Sequence, residues 1–333
     1  MRITIIGTGR IGTSIGLGIR AADKDKAIEI RGHDKDRTHA DRAQALGAVD
    51  KAYWNLMDSI DGADLVVLAM PIDGIQETLK LIGPVLRADC VVTDTARLKA
   101  PVLEWAKQYL PPAVHFVGGD PLVGPTPPGK PVKGPDASSA TAFNGAPYYI
   151  VPSLRTAEAA VDLVTDMARM LGARPLFTDA AEHDGVSTAV NTLPSLVGAA
   201  LLEVTTQAGN WRDLRLMAGQ TLATATDIDS VTAWRDTLML SQASVLPWLD
   251  AVIAELEHMR ARLAKGDGDA LAARLKAAQE ERTAWIVKWE QGKWEDAGET
   301  PAPDVPGVGD SIARLFVGNL AERARNKGKR TDR

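Results

Sequence analysis

In the first 177 residues, short apolar runs rich in β-branched residues alternate with segments whose apolar positions recur at helical spacing. This alternation is typical of parallel βαβ units, so we predict an α/β doubly wound parallel sheet with helices in most gaps between strands. Gly47 and Gly172 fall where helix C-caps are expected. The predicted strands are Ile3–Ile6, Ile28–Arg31, Leu65–Met70, Val91–Thr93, Val114–Val117, Tyr148–Val151 and Pro175–Phe177.

After Thr178 the strand pattern stops, and apolar spacing of about 3.6 residues continues to about Trp294, which predicts an all-helical second domain. One stripe of a long helix there is typical of either core or a subunit interface. The stripe comprises Trp248, Ala251, Val252, Leu256 and Met259. A Pro- and Gly-rich segment at 298–309 predicts a linker to a short helix at 311–324 and a basic tail. The predicted divisions are 1–178, 179–297 and 298–333.

Composition narrows the class of protein. With 333 residues and 45% hydrophobic content, the chain can bury two cores. The net charge of -5 gives no electrostatic footprint for nucleic acid. The longest uncharged stretch, 185–202, contains polar residues and a proline and is predicted to be a buried helix, not a membrane anchor.

Cysteine content and the N-terminal pattern bear on the compartment. Cys90 is the only cysteine, so a disulfide framework or a cysteine-based zinc site within one chain is excluded, and no metal site is predicted. The chain begins with an apolar strand pattern instead of a signal-peptide pattern. We therefore expect a cytoplasmic protein.

A glycine-rich motif follows the first strand and opens a helix, which is the context that a dinucleotide-binding motif needs. It comprises Gly7, Thr8, Gly9, Arg10, Ile11 and Gly12. In this motif the first glycine permits a tight turn, the second lets the backbone approach a pyrophosphate, and the third lets the helix pack on the strand. The motif predicts a Rossmann domain that binds a nicotinamide dinucleotide.

Asp34 ends the second strand, where a carboxylate can accept hydrogen bonds from the ribose hydroxyls of the adenosine. This favours NAD over NADP, although Lys35 and Arg37 nearby could hold a 2′-phosphate. Two later strand ends are expected to lie near the nicotinamide. Their residues are Met70, Pro71, Thr93 and Asp94.

Four further segments resemble motifs of the prephenate/arogenate dehydrogenase family. Residues 92–99 (VTDTARLK) resemble its VTDVGSVK, and residues 118–124 (GGDPLVG) resemble its GGHPMAG. His183 and Asp184, with residues 191–195 (NTLPS), resemble HD followed by SHLPH at the same spacing. Residues 211–218 (WRDLRLMA) and 234–236 (WRD) resemble FRDxTRIA and a following WRD. The resemblance implies a Rossmann domain, a helical dimerisation domain, a homodimer, and NAD(P)-dependent oxidation of a ring alcohol with loss of carbon dioxide, on the route to tyrosine.

The chain departs from these motifs at positions that the resemblance places around the substrate. The family histidine that meets the reacting hydroxyl is Asp120 here, and the neighbouring serine is Arg97. The two histidines of SHLPH are Thr192 and Ser195. The arginine that grips a substrate carboxylate falls on Leu216.

Basic residues near that last motif do not simply replace the missing arginine. Arg215 is one residue away and so is rotated by about 100° around the helix. Arg212 matches a basic position of the motif and either reaches an anion or lies on the surface beside Asp213. Lys99 either touches the cofactor or is solvated, and His183 is either a capping or packing residue or part of the site.

An aspartate at position 120 changes the chemistry. The ordinary pKa of aspartic acid is about 2.6 below that of histidine, roughly 3.5 kcal/mol of proton affinity. Such a carboxylate can still accept a hydrogen bond from an alcohol. The paired change to Arg97 and Asp120 suggests an ion pair across the substrate pocket, which is either a structural salt bridge or a reoriented acid/base pair; the third alternative is that the two side chains make no contact.

The leading hypothesis is an NAD-dependent, homodimeric oxidoreductase acting on a small anionic cyclic alcohol between the sheet edge and the helical domain. Its candidate catalytic residues are Asp120, Arg97, Thr192, Asn191, Ser195 and Arg212. One alternative is a related dehydrogenase with a less charged substrate. Another is a protein that binds NAD without catalysis, because the family histidine is replaced.

Overall fold

The fold was analysed in a computed structural model, which describes residues 1–124, 133–153, 155–226 and 231–294. The predicted linker, terminal helix and basic tail at 298–333 lie outside the described residues. Strands and helices alternate up to Phe177, and only helices follow.

Within the described residues, eight strands form one sheet in the order β3-β2-β1-β4-β5-β6-β7-β8. The six strands from β3 to β6 in this order follow the strand order 3-2-1-4-5-6 of dinucleotide-binding folds, with all neighbours parallel. The strands are β1 (Arg2–Ile6), β2 (Glu29–His33), β3 (Lys51–Tyr53), β4 (Leu65–Leu68), β5 (Val91–Asp94), β6 (His115–Pro121), β7 (Pro147–Pro152) and β8 (Arg174–Phe177).

The sheet is parallel, as predicted, except at one boundary. Strand β7 runs antiparallel to β6, and β8 runs parallel to β7. A parallel neighbour requires a crossover connection, usually a helix. In the described part of the β6–β7 connection, the only helical element is the short 3₁₀ turn Pro135–Ala137. The chain therefore returns beside β6 in the opposite direction.

Helices cover both faces of the sheet. The apolar side chains of β1, β4 and β5 are divided between two buried clusters, one on each face, and Ile5 and Leu68 are examples from opposite clusters. Gly47 and Gly172 follow the helices Arg37–Ala45 and Glu158–Met170 with φ of +77° and +73°, which confirms the predicted C-caps. The helices of this half are α1 (Arg10–Ala22), α2 (Arg37–Ala45), α3 (Leu56–Ile60), α4 (Ile72–Ile82), α5 (Ala100–Tyr109) and α6 (Glu158–Met170).

The second half is helical, as predicted, and it leaves much apolar surface uncovered within one chain. Of the predicted stripe, Trp248 and Leu256 are exposed, which favours an interface over a core. The helices are α7 (Ala180–Ser187), α8 (Leu193–Thr206), α9 (Trp211–Met217), α10 (Gln220–Ala225), α11 (Val231–Leu240), α12 (Gln242–Lys265) and α13 (Gly268–Glu290).

Helices α7 and α8 join through a π-helical turn, Thr188–Thr192, into one 27-residue helix, Ala180–Thr206. By length and composition this helix could cross a membrane. Only 22% of its most apolar stretch is buried within the chain. The expected buried helix is therefore wrong for the single chain. Its exposed apolar residues include Val186, Val190, Val197, Leu201 and Val204.

Candidate active site

The glycine-rich turn between β1 and α1 has little room at two of its glycines and open space at the third. A Cβ atom on Gly7, whose φ is +94°, would lie 2.3 Å from the carbonyl oxygen of Ala69. A Cβ on Gly12 would lie 1.9 Å from the carbonyl oxygen of Gly7. A Cβ on Gly9 would meet no atom within 4 Å. Gly7 and Gly12 therefore serve packing, and Gly9 faces space that a ligand can enter.

The same turn presents unpaired hydrogen-bond donors. The amides of Arg10, Ile11 and Gly12, at the start of α1, donate to no acceptor among the described residues. The Nε atom of Arg10 is also buried without a partner. Free amides at a helix N-terminus bind anions, because the helix dipole adds a partial positive charge there. The turn therefore fits the pyrophosphate of a dinucleotide.

Asp34, at the end of β2, is tied to the turn. Its Oδ2 accepts a hydrogen bond from the amide of Thr8 at 2.7 Å, and its Oδ1 accepts one from the amide of Asp36 at 2.9 Å. Beside Asp34 is a cavity of about 90 Å³, whose lining includes Arg37 and Trp54. The guanidinium carbon of Arg37 lies 5.7 Å from the centre of the Trp54 ring. A carboxylate next to a flat aromatic wall is a suitable environment for a nucleoside.

The four residues at the later strand ends divide into two kinds. Met70 is half-buried and Pro71 is exposed at the start of α4, where both can meet a ligand. Thr93 and Asp94 are fully buried in β5. Their side chains are covered by the protein itself, so a contact of Thr93 or Asp94 with the cofactor stays a prediction.

Asp94 instead forms a buried ion pair with Lys99. The Lys99 ammonium donates to Asp94 Oδ2 and, at 2.6 Å, to the carbonyl oxygen of Gly119. Burial raises the pKa of Asp94, while the charge of Lys99 and backbone amides oppose that rise. Lys99 is fully buried, so the expectation that it is solvated was wrong, and its contact with the cofactor stays a prediction. The pair fixes β5 against the β6 backbone immediately before Asp120.

Asp120, near the end of β6, contacts a histidine of the helical domain. Its Oδ2 lies 3.2 Å from Nε2 of His183, and the side chains are 6% and 3% exposed. Nδ1 of His183 lies 3.0 Å from Oδ1 of Asp184. The ring of Tyr149 on β7 meets the imidazole edge-on, with centroids 5.5 Å apart. The imidazole thus lies between two carboxylates in a buried setting.

Those carboxylates control the protonation of His183. Burial alone would lower the pKa of His183, but the hydrogen bonds with Asp120 and Asp184 outweigh burial and raise that pKa above its ordinary value. The nearby charge of Lys99 acts in the opposite direction. The imidazole therefore holds a proton more firmly than a histidine in water does.

Asp184 also joins the two domains. Its Oδ1 accepts a hydrogen bond from the amide of Lys99 at 2.6 Å, and its Oδ2 accepts one from the amide of Ala100 at 2.9 Å. These amides lie at the start of α5, where a carboxylate satisfies unpaired donors. The start of the helical domain is therefore attached to the loop after β5.

Arg97, in that same loop, contacts the helix Ala180–Thr206. Its guanidinium donates to the side-chain oxygen of Asn191, in the π-helical turn, and its carbonyl accepts from Ser187 Oγ at 2.8 Å. The predicted Arg97–Asp120 ion pair was wrong, because Asp120 is paired with His183 instead. Arg97 remains largely exposed, so its other donors are accessible.

The other predicted site residues differ in their burial and in the helix on which they lie. Thr192 is buried in the π-helical turn, and Ser195 donates a long 3.4 Å hydrogen bond to the carbonyl oxygen of Asn191. Both lie on the helix whose Asn191 accepts a hydrogen bond from Arg97. Arg212 is exposed on α9. The structure thus places Asp120 against His183 near the start of the helix Ala180–Thr206 and Arg97 against Asn191 farther along it, and among the described residues Arg212 has no recorded contact with any of them.

Sequence reasoning missed the contact between His183 and Asp120. The available signal was the resemblance of His183 and Asp184 to the HD pair of a family motif, but a histidine near a helix start is commonly a cap. The helix cap is in fact Asp179, whose side chain accepts from the amides of Ala181 and Glu182. This leaves the imidazole of His183 for the site.

Both halves of the chain match models of one protein family. Residues 15–176 match the nucleotide-binding domain of prephenate dehydrogenase, and residues 179–277 match its dimerisation domain. The glycine-rich turn precedes the first match, so its assignment rests on its geometry.

Individual relatives agree with these matches. The chain is 28% identical to cyclohexadienyl dehydrogenase of Zymomonas mobilis over 85% of this chain and 95% of that protein. It is 27% identical to prephenate dehydrogenase of Bacillus subtilis over 95% of this chain and 84% of that protein. Prephenate dehydrogenase from A. aeolicus, solved in complex with hydroxyphenyl propionate and NAD⁺, shares the fold with a TM-score of 0.74 and 22% identity, covering 85% of this chain and 98% of that one.

Fold, turn geometry and the two matched domains together define a dinucleotide-dependent oxidoreductase with a helical dimerisation domain. The chain belongs to the prephenate dehydrogenase family.

Proposed function

We propose that this protein oxidises a small anionic cyclohexadienol, prephenate or arogenate, with NAD as the hydride acceptor and with loss of carbon dioxide. The observation that carries the proposal is the carboxylate of Asp120. It is buried at the carboxyl edge of the sheet, and its Oδ1 makes no hydrogen bond among the described residues. An acceptor in that position suits the hydroxyl of a ring alcohol.

The cofactor side is supported by the glycine-rich turn. Free amides at the start of α1 would hold the pyrophosphate, and Asp34 would accept hydrogen bonds from the adenosine ribose. The carboxylate of Asp34 repels a 2′-phosphate, which supports NAD over NADP. NAD, when bound, supplies the acceptor for the hydride that leaves the alcohol carbon.

The substrate side is supported by Arg97 and the helix face beside it. The guanidinium of Arg97 has donors left after bonding Asn191, and a substrate carboxylate can take them. Asn191, Thr192 and Ser195 add polar groups on the same helix. Arg97 would thus take over the anion binding that the family arginine provides at the position of Leu216. Arg212 is not required in this arrangement.

The assembly is proposed from the second domain. Its match to a dimerisation domain and the uncovered apolar side chains of helix Ala180–Thr206 support a homodimer. We place the division between the dinucleotide-binding and helical domains at residues 178 and 179, and we place the protein in the cytoplasm.

The test is turnover with purified protein, NAD, and prephenate or arogenate in parallel. NADH absorbance follows the reaction, and mass spectrometry identifies hydroxyphenylpyruvate or tyrosine. We expect turnover on at least one substrate. We also expect Asp120→Asn to lose it while retaining the NAD affinity of the wild type by calorimetry. NAD binding without turnover on either compound would contradict the proposed substrate class.

Arg97 is tested separately. Arg97→Gln keeps a polar side chain that can contact Asn191 but removes the charge, and we expect KM to rise at least about tenfold, or about 1.4 kcal/mol of binding. Arg212→Gln serves as the matched control and is expected to leave KM unchanged. Equal effects of the two substitutions would contradict the role assigned to Arg97.

A further inference from the structure

We propose that His183 is the proton-accepting partner of Asp120, acting through the carboxylate without touching the substrate. This inference rests on the proposed oxidation of a ring alcohol. In it, Asp120 Oδ1 receives the hydroxyl proton, and His183 Nε2 draws that proton through Oδ2. The contact that carries the inference is the 3.2 Å approach of Oδ2 to Nε2 between two side chains that are almost fully buried.

The first step concerns the low basicity of Asp120. A lone aspartate has a proton affinity lower than that of histidine by roughly 3.5 kcal/mol, so it is a weak base for an alcohol near neutral pH. The structure places an imidazole directly behind this carboxylate. The pair, taken as one unit, has the basicity of histidine at the position where the family motif has histidine.

The second step concerns which ring nitrogen titrates. The Asp184 carboxylate accepts hydrogen bonds from two backbone amides, so it acts as an acceptor toward Nδ1 of His183 as well. Nδ1 therefore keeps its proton as the donor to Asp184. Nε2 is the nitrogen that gains and loses a proton, and it is the one that faces Asp120.

The third step is the proton balance. As the hydride leaves the alcohol carbon, the O–H bond breaks and its electron pair forms the carbonyl. The hydroxyl proton passes to the Asp120 carboxylate at Oδ1, the carboxyl group turns, and the same proton passes on to His183 Nε2, so that an imidazolium lies between two carboxylates. When carbon dioxide leaves, its bonding pair makes the ring aromatic. The resulting phenolate oxygen takes the proton back along the same path, so none is consumed.

The groups around His183 set the pH at which the Asp120–His183 pair is deprotonated and can accept a proton. The groups facing His183 are Asp120 from β6, Asp184 from its own helix, the ring of Tyr149 from β7, and the charge of Lys99 from the loop after β5. The two carboxylates prevail and raise the pKa of His183. Because the unit must be deprotonated to accept a proton, activity should rise as pH increases through that raised pKa.

The kinetic test compares His183→Gln in two backgrounds. Glutamine keeps a donor toward Asp120 but does not titrate, so a purely structural role predicts nearly unchanged kinetics. We expect kcat to fall about 100-fold in the wild-type background, a typical contribution of acid–base catalysis. We also expect the rising limb of the pH profile to move toward the ordinary aspartate range, about pH 4.

The second background is Asp120→His, which restores the residue of the family motif and gives the substrate a direct base. In that background, His183→Gln should lower kcat by less than about threefold, because proton transfer through Asp120 to His183 is no longer needed. An equal loss in both backgrounds with an unchanged pH profile would assign His183 a packing role and overturn the inference.

A measurement independent of turnover uses the free protein. Nitrogen-15 NMR of labelled histidine reports the tautomer and pKa of each imidazole, and the signal of His183 among five histidines is assigned by its loss in His183→Gln. We expect an Nδ1–H tautomer and a pKa above the ordinary value of about 6.5, falling in Asp120→Asn. A pKa at or below the ordinary value would overturn the inference. Absence of turnover on every cyclohexadienol would instead refute the proposed function.

Discussion

Substitution of Gly9 by alanine separates ligand binding from folding in the glycine-rich turn. The φ of Gly9 is -69°, which any residue adopts, and its Cβ would enter open space. Alanine should therefore leave the protein as stable as the wild type or stabilise it by up to about 1 kcal/mol, through the lower entropy of the unfolded chain. The added methyl group would occupy the space left for the pyrophosphate.

The matched control is Gly12→Ala in the same turn. Its Cβ would overlap the carbonyl oxygen of Gly7 at 1.9 Å, and a backbone atom cannot move aside as a flexible side chain can. We expect Gly12→Ala to lower the free energy of unfolding by about 1–3 kcal/mol through overpacking. For a domain of this size, about 1 kcal/mol lowers the melting temperature by about 2–4 °C.

Thermal unfolding and NAD calorimetry on both variants test the predicted effects on stability and on NAD binding. Gly9→Ala should melt at or above the wild-type temperature and bind NAD at least about tenfold more weakly, which corresponds to about 1.4 kcal/mol. Gly12→Ala should melt earlier. Wild-type NAD affinity in Gly9→Ala would refute the assignment of this turn to the pyrophosphate, and a normal melting temperature in Gly12→Ala would refute the steric argument.

Four further predictions concern stability, reactivity and assembly. Lys99→Met should cost about 3–5 kcal/mol in urea unfolding by leaving Asp94 buried and unpaired, and a second change, Asp94→Leu, should recover part of that loss; no recovery would contradict the buried pair. Burial raises the pKa of the Cys90 thiol to about 12, so a thiol reagent should label native protein slowly and label one thiol per chain in denaturant. Because the folded-state pKa of His183 is raised, its stabilising effect is complete below about pH 6.5 and is lost as pH rises through the folded-state pKa; the stability difference between wild type and His183→Gln should shrink over that range. Val204, 73% exposed on the long helix, should lie in the subunit interface, so Val204→Asp should shift sedimentation from dimer to monomer.

Much of the sheet could be predicted because buried parallel strands appear as apolar runs that stand out in a sequence. Strand β3 was missed because it has three residues and begins with Lys51 at the sheet edge. Strand β6 continues beyond Val117 through two glycines, which have low strand propensity and are held there by pairing with β7. That pairing depends on a neighbour distant in sequence, so a local pattern cannot reveal its direction.

The site was predictable where a motif determines its own geometry, as in the turn from Gly7 to Gly12. It was not predictable where partners lie far apart. His183 is 63 positions from Asp120, and nothing near either residue in the sequence specifies their contact. Arg97 was paired with Asp120 because both positions depart from the family motifs, whereas its guanidinium contacts Asn191, 94 positions away. Likewise, an apolar helix has the same pattern whether its own chain or a second subunit covers it.

The attachment of Asp184 to the amides of Lys99 and Ala100 restricts how the enzyme can open and close. Opening at this point would leave the buried Asp184 carboxylate and two backbone amides without hydrogen-bond partners. We therefore expect the start of the helical domain and the loop after β5 to move as one rigid body. Any hinge motion that admits substrate must then arise farther along, among the outer helices. We therefore expect the part of the proposed site that holds Asp120 and His183 to stay fixed while the outer helices move.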